Sequence, residues 1–208
     1  MRTAQRRRRR RRLLLLAVPI VVVVAVVGVA AALLTGRVIV PAFSGKVYPI
    51  RYEKEIATVA TQYDIDPYLL AAVARTESGF DPDAESSAGA VGLMQLLPGT
   101  AKWVTGLDGW KGPKNPALKN PQDSLELGAC YLAYLFRRFD DPTAAIAAYN
   151  AGPNAVAGWI KKAGGADSFG PEDIQYPETR EFVRRVESSR MLFERAHPDA
   201  FSLSQRNA

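Results

Sequence analysis

The chain has 208 residues, of which 48% are hydrophobic, and its formal net charge is +6. Residues 1–12 hold eight arginines and no acid, so the remainder, with 19 basic and 21 acidic residues, lacks the basic excess of a nucleic-acid-binding domain. One cysteine excludes an intramolecular disulfide, and one histidine gives little basis for a Ser-His-Asp triad or a histidine metal cluster.

The first 35 residues predict a single-pass membrane anchor. Residues 13–34 are uncharged and predominantly apolar, which is long enough for a helix that crosses a bilayer. The arginines before this run favour a cytoplasmic N-terminus and an extracytoplasmic domain. Cleavage as a signal peptide near residues 30–32 is the alternative, although cleavable apolar regions are usually only about 7–15 residues long. We predict a cytoplasmic tail (1–12), a transmembrane signal-anchor (13–35), a linker (36–50) and one folded domain (51–208).

Helix signals dominate the folded domain. Residues 52–63 repeat apolar side chains at helical spacing. Further helices are predicted to begin near prolines 67, 98, 121, 142, 153 and 177. Three of these prolines follow Asp or Asn, and that pair is typical of a helix start because the side chain caps the helix and proline suits its first position. No stretch alternates with period two, so we expect a mainly α fold.

The helix predicted at residues 68–76 leads directly to a candidate acid. Glu77 shares a helical face with Leu70 and Val73, and Gly79 marks the end of the helix. Burial on that face and the negative end of the helix dipole both raise the pKa of a carboxyl group. A raised pKa suits a general acid near neutral pH. The alternative is an ordinary exposed residue at a helix end.

Four motifs follow in order along the chain. They are ESGF at 77–80, GAVGLMQLLPGTA at 89–101, AYNAG at 148–152 and YPETREFVRRV at 176–186. Together they resemble the lytic transglycosylases of the soluble (Slt) type, glycoside hydrolase family 23, over roughly residues 52–194. The resemblance implies a lysozyme-like helical domain, as in goose-type lysozyme, here expected as a minimal catalytic domain on an anchor.

The resemblance also implies a substrate and a reaction. The substrate would be a peptidoglycan glycan strand, cut at the β-1,4 bond between N-acetylmuramic acid and N-acetylglucosamine. One glutamate, Glu77, would act first as acid and then as base, with formation of 1,6-anhydromuramic acid. Neither a metal nor another cofactor is expected. A hydrolytic muramidase with Glu178 as second acid, a non-catalytic peptidoglycan-binding scaffold, and a dedicated part of a secretion or sporulation machine are the alternatives.

The same motifs imply which residues bind substrate. The implied set is Ser86, Met94, Gln95, Tyr149, Asn150 and Glu178. In the family pattern the serine contacts the sugar, the Met-Gln pair lines the cleft, and the tyrosine hydroxyl lies near the carboxyl or the substrate N-acetyl group. The glutamate is auxiliary, on the far side of the cleft. Five of these residues also have a structural interpretation: core filler for Met94, a satisfied amide for Gln95, a core tyrosine for Tyr149, a helix C-cap for Asn150, and a dipole-stabilising acid for Glu178.

Overall fold

The computed structural model describes residues 48–201, which form seven α-helices and two short 3₁₀ helices. The α-helices are α1 (Glu53–Tyr63), α2 (Pro67–Ser78), α3 (Pro98–Val104), α4 (Pro121–Arg138), α5 (Pro142–Ala151), α6 (Pro153–Ala163) and α7 (Pro177–Ala196). The predicted cytoplasmic tail, signal-anchor and most of the linker lie outside these residues. Between residues 48 and 201, no helix is both long and apolar enough to cross a membrane. The mainly α prediction is confirmed for the folded domain.

Three helices begin with an Asp or Asn whose side chain caps the helix and which is followed by proline, as the sequence predicts. Asp66 accepts a hydrogen bond from the Tyr68 N–H (2.9 Å) at the start of α2. Asn120 and Asp141 cap α4 and α5 in the same way. Each cap satisfies a backbone donor that would otherwise lack an intrahelical partner, and the following proline has no N–H to satisfy.

Helices α2 and α5 form the centre of the core. In α2 every residue from Pro67 to Ala74 is buried, and in α5 every residue from Ala144 to Tyr149 is buried. A helix that is apolar on all sides must be surrounded by other elements. Helix α7 packs against both central helices, whereas α4 packs against α1 and α5.

The connection between α2 and α3 folds back on itself without regular strands. Within the described residues its only β pairings are isolated bridges that join Val91 to Glu85 and to Leu96. Gly92 has a φ of +82°, and a Cβ atom there would lie 1.9 Å from the Leu118 carbonyl oxygen. The backbone of this connection therefore approaches the loop before α4 too closely for any side chain.

Trp110 attaches the long loop between α3 and α4 to the core. Its indole packs near the Tyr63 ring, with centroids 6.4 Å apart, and its Nε1–H donates to the Pro113 carbonyl (3.2 Å). The Lys111 N–H donates to the Tyr63 hydroxyl (3.0 Å). Trp110 therefore has a structural position.

Candidate active site

A cleft of about 450 Å³ lies where the end of α2, the α2–α3 connection, α4 and the end of α5 meet. Of the seven predicted site residues, five line it: Glu77, Ser86, Gln95, Tyr149 and Asn150. These residues are far apart in sequence, and the packing of α2 and α5 in one core brings them together. The cleft also contains Tyr131 and Thr100, which the sequence analysis did not identify.

Glu77 occupies the last turn of α2 and is partly buried. Loss of solvent raises the pKa of its carboxyl from the usual 4.5 to about 7, while the positive charge of Arg185 opposes this rise. The Arg185 guanidinium also reaches back towards the backbone of α2, 3.5 Å from the Thr76 carbonyl oxygen. Because its pKa is near 7, the Glu77 carboxyl can both hold and release a proton at neutral pH. Among the described residues that line the cleft, it is the only carboxyl group.

Two tyrosines, Tyr131 and Tyr149, line the same cleft as the candidate acid. The buried Tyr149 donates its hydroxyl hydrogen to the Met94 carbonyl (2.9 Å). Burial raises its pKa well above 10, and the negative charge of Glu77 adds to the effect, so this hydroxyl stays protonated. The Tyr131 ring lies 5.3 Å from the Tyr149 ring, and burial raises its pKa to about 12. Both rings are therefore neutral walls of the cleft.

Gln95 and Ser86 also line the cleft, and each makes hydrogen bonds within the connection between α2 and α3. The Gln95 amide nitrogen donates to the carbonyls of Ala84 and Gly92, each at 3.0 Å, and its backbone is left-handed with a φ of +46°. The Ser86 hydroxyl accepts from the Ala90 N–H (3.0 Å) in a tight turn. The oxygen of the Gln95 side-chain amide accepts no hydrogen bond from residues 48–201, so it can accept one from a ligand.

The structure places the Met94 side chain in the core and not in the described lining of the cleft. The side chain is fully buried beneath the cleft, against α4 at Gly128, where an added Cβ would lie 2.4 Å from the Met94 methyl group. What Met94 presents to the site is its backbone, since its carbonyl accepts from Tyr149 and its N–H donates to Ser124 Oγ (3.2 Å). This buried position agrees with the core-filler alternative.

The structure does not place Glu178 in the lining of this cleft. Glu178 is exposed in the first turn of α7, as the dipole-stabilising alternative requires. Its neighbour Thr179 turns inwards instead and donates to the Asn150 side-chain oxygen (2.7 Å). That bond fixes the amide of Asn150 at the edge of the cleft, while Gly152, rather than Asn150, is the C-cap of α5.

A larger cavity, of about 630 Å³, lies on another part of the domain. The ion pair between Asp66 and Arg190 stands at its edge, together with Glu187. None of the predicted site residues lines it. Across residues 48–201, no group of three or more His, Cys, Asp or Glu side chains is arranged to hold a metal ion.

Comparison with known proteins agrees with this geometry. Residues 55–169, more than half of the chain, match the Transglycosylase SLT domain family. The soluble lytic murein transglycosylase of Salmonella typhimurium is 34% identical over 145 residues, covering 67% of this chain and 22% of the relative. The membrane-bound lytic murein transglycosylase C of Histophilus somni is 39% identical over 131 residues, covering 57% of this chain and 36% of the relative.

A solved structure supports the same assignment. The 70-kDa soluble lytic transglycosylase of Escherichia coli superposes with a TM-score of 0.68 at 30% identity, covering 77% of this chain and 26% of that one. The fold and the cleft thus define a helical, lysozyme-like domain. The chain belongs to the Transglycosylase SLT domain family. It spans only about a quarter to a third of the length of these relatives.

Proposed function

We propose that the chain is a peptidoglycan lytic transglycosylase and that Glu77 performs both of its proton transfers. The observation that carries the proposal is a single carboxyl in the described lining of the cleft, with a pKa of about 7. Glycosidases that use water generally need two carboxyl groups beside the scissile bond. A cleft with one carboxyl instead suits a reaction in which the attacking hydroxyl belongs to the substrate.

The first step uses protonated Glu77 as a general acid. Its proton passes to the glycosidic oxygen between N-acetylmuramic acid and N-acetylglucosamine, so that the N-acetylglucosamine unit leaves with a hydroxyl group. The N-acetyl carbonyl of the muramic acid supports the positive charge that develops at its anomeric carbon. The neutral rings of Tyr131 and Tyr149 wall this site, and the Tyr149 hydroxyl, held on the Met94 carbonyl, adds no competing charge.

The second step uses the Glu77 carboxylate as a general base. It takes the proton from the 6-hydroxyl of the same muramic acid, whose oxygen then bonds to the anomeric carbon and closes the 1,6-anhydro ring. Glu77 ends the cycle protonated, and no water is consumed. A pKa near neutral suits both steps, because a stronger acid would be ionised before the first step and a weaker acid would be a better base but a poorer proton donor.

The substrate-binding roles proposed here follow the geometry. Ser86, Gln95 and Asn150 present polar atoms along the cleft, where they can bind hydroxyl and N-acetyl groups of the glycan. Met94 acts through its backbone, which supports Tyr149. Glu178 stands apart from the described lining, which weakens the muramidase alternative because that mechanism needs a second acid near the bond.

Mass spectrometry of the products tests the reaction. The full chain, purified in detergent, is incubated with peptidoglycan beside Glu77→Gln and the matched control Glu178→Gln. Muropeptides lighter by one water than their hydrated counterparts should come from the parent and from Glu178→Gln but not from Glu77→Gln. Hydrated reducing ends that disappear with Glu178→Gln would identify a muramidase. Binding without any release by the parent would identify a scaffold.

We also propose that residues 13–35 anchor the domain in the cell membrane, with residues 1–12 on the cytoplasmic side. The support is the uncharged apolar run that follows eight arginines, together with a relative whose name describes it as membrane-bound. The full chain should stay with membranes after alkaline extraction, whereas a variant lacking residues 1–35 should be released. Release of the full chain, or a mature N-terminus near residue 33, would contradict an uncleaved anchor.

A further inference from the structure

A series of aromatic rings leads out of the cleft to the surface. It begins at Tyr149 beside Glu77 and continues through Tyr131, whose ring centroid is 5.3 Å away. The Trp103 ring stands edge-on to Tyr131 at 6.0 Å and to Tyr134 at 4.9 Å. The outermost member, Trp103, is therefore connected to the wall of the cleft through direct ring contacts.

Trp103 is much more open to solvent than a fold-stabilising tryptophan needs to be. Its exposed fraction is 45%, whereas Trp159 is buried at 4% and Trp110 donates its indole N–H to a backbone carbonyl. The Trp103 indole N–H has no hydrogen-bond partner among residues 48–201. Tryptophan with an apolar face and a free N–H donor at a wet surface is typical of recognition sites.

Helix α3 contains both Trp103 and a residue that lines the cleft. Leu97, just before the helix, and Thr100 in its first turn both line the cleft, and Leu97 is itself 45% exposed. Thr100 and Trp103 are one helical turn apart and so lie on neighbouring parts of one side of α3. The rise from Leu97 to Trp103 is about 9 Å, which exceeds the width of one pyranose ring.

We propose that Trp103 forms an additional sugar-binding subsite, where its exposed indole holds a ring of the glycan strand beyond those in the cleft. This inference rests on the proposed function, because it takes the same strand as ligand. Pyranose rings offer an apolar C–H face and peripheral hydroxyls, which match the indole face and the free N–H. Binding at a distance from the reacting bond holds a long strand in place while the cleft acts on it.

The subsite predicts a dependence on glycan length. Chitotriose and chitohexaose, which are β-1,4-linked N-acetylglucosamine oligomers, serve as probes in titration calorimetry with the full chain in detergent. All proteins carry Glu77→Gln so that no probe is cleaved. Trp103→Ala should weaken chitohexaose binding about fivefold to tenfold and leave chitotriose binding nearly unchanged, since one aromatic contact of this kind is worth about 1 kcal/mol.

Two further variants serve as controls, one for the packing of the aromatic ring and one for the loss of any exposed apolar side chain. Trp103→Phe keeps a smaller aromatic face and should retain most of the chitohexaose affinity. Met191→Ala removes another exposed large apolar side chain, on α7, and should leave both affinities unchanged. Equal losses for both oligomers, no loss for either, or the same loss with Met191→Ala would each overturn the subsite.

The outcomes separate the subsite from the reaction. Anhydro products from the parent together with length-independent binding would reject the subsite and keep the proposed function. Length-dependent binding that Trp103→Ala removes, with no anhydro product from the parent, would keep the subsite as part of a glycan-binding protein and reject the enzyme.

Discussion

Replacement of Glu77 with glutamine should make the folded domain more stable at high pH than the parent. The partly buried carboxyl has a folded-state pKa of about 7, against 4.5 for an ordinary glutamate. Below pH ~4 the group is protonated in both the folded and the unfolded chain, so the stability does not change with pH there on account of this group. As the pH rises, the unfolded chain loses this proton first, and the folded state loses stability relative to it until the folded group has also ionised.

The size of this effect follows from the difference between the two pKa values. The gap between 4.5 and about 7 corresponds to about 3 kcal/mol of folding free energy, fully present below pH ~4 and lost by pH ~8. Glutamine has nearly the same shape and never ionises, so the variant avoids this loss. The stability difference between Glu77→Gln and the parent should therefore increase by about 3 kcal/mol across this range.

Urea unfolding at a series of pH values measures this difference. Tryptophan fluorescence is a suitable signal because all three tryptophans of the chain lie within residues 48–201. Glu181→Gln provides a control of opposite sign, since the hydrogen bond from Arg184 lowers the pKa of the exposed Glu181 and stabilises its charged form. That variant should lose stability relative to the parent as the pH rises. If the stability difference between Glu77→Gln and the parent does not change with pH, the conclusion that burial raises the pKa of Glu77 is refuted.

Two further predictions concern the surroundings of the site. Arg185→Gln removes the positive charge that lowers the pKa of Glu77, so the alkaline limb of the pH–activity profile should move to higher pH. A limb that stays in place or moves to lower pH would contradict this effect of Arg185 on Glu77. Gly92→Ala should destabilise the domain by at least about 2 kcal/mol in thermal or urea unfolding, because its left-handed backbone disfavours a side chain and the Cβ would meet the Leu118 carbonyl at 1.9 Å. The control Gly99→Ala, with nothing within 4 Å of its Cβ, should be close to neutral, and equal costs at both glycines would contradict this explanation.

Local signals were sufficient to predict the helices of the domain. The caps at Asp66, Asn120 and Asp141 act on backbone groups within three residues, so their effect is visible in the sequence. The burial of Glu77 could also be predicted, since its helical face is set by apolar residues of the same helix. The magnitude of the pKa change could not, because Arg185 belongs to α7 and only tertiary packing brings it near.

The positions of Met94, Glu178 and Tyr131 depend on contacts between distant segments. Met94 is drawn into the core because Gly128, on α4, leaves space for its side chain. Whether Glu178 or Thr179 faces Asn150 depends on how α7 is rotated against α5, and no local pattern fixes that rotation. Tyr131 was missed for the same reason, since on α4 it is one of many apolar residues until Tyr149 is placed beside it.

The backbone around Met94 connects the acid to the rest of the site. The Ser78 hydroxyl, next to Glu77 on α2, donates to the Leu93 carbonyl (2.9 Å), and Ser124 on α4 accepts from the Met94 N–H. Tyr149 on α5 donates to the Met94 carbonyl. Three helices thus hold one short segment of backbone, and the wall beside Glu77 is fixed by hydrogen bonds. Because these bonds hold the Tyr149 hydroxyl on a backbone carbonyl, Glu77 remains the only group in the described lining that is suited to exchange a proton with a substrate near neutral pH.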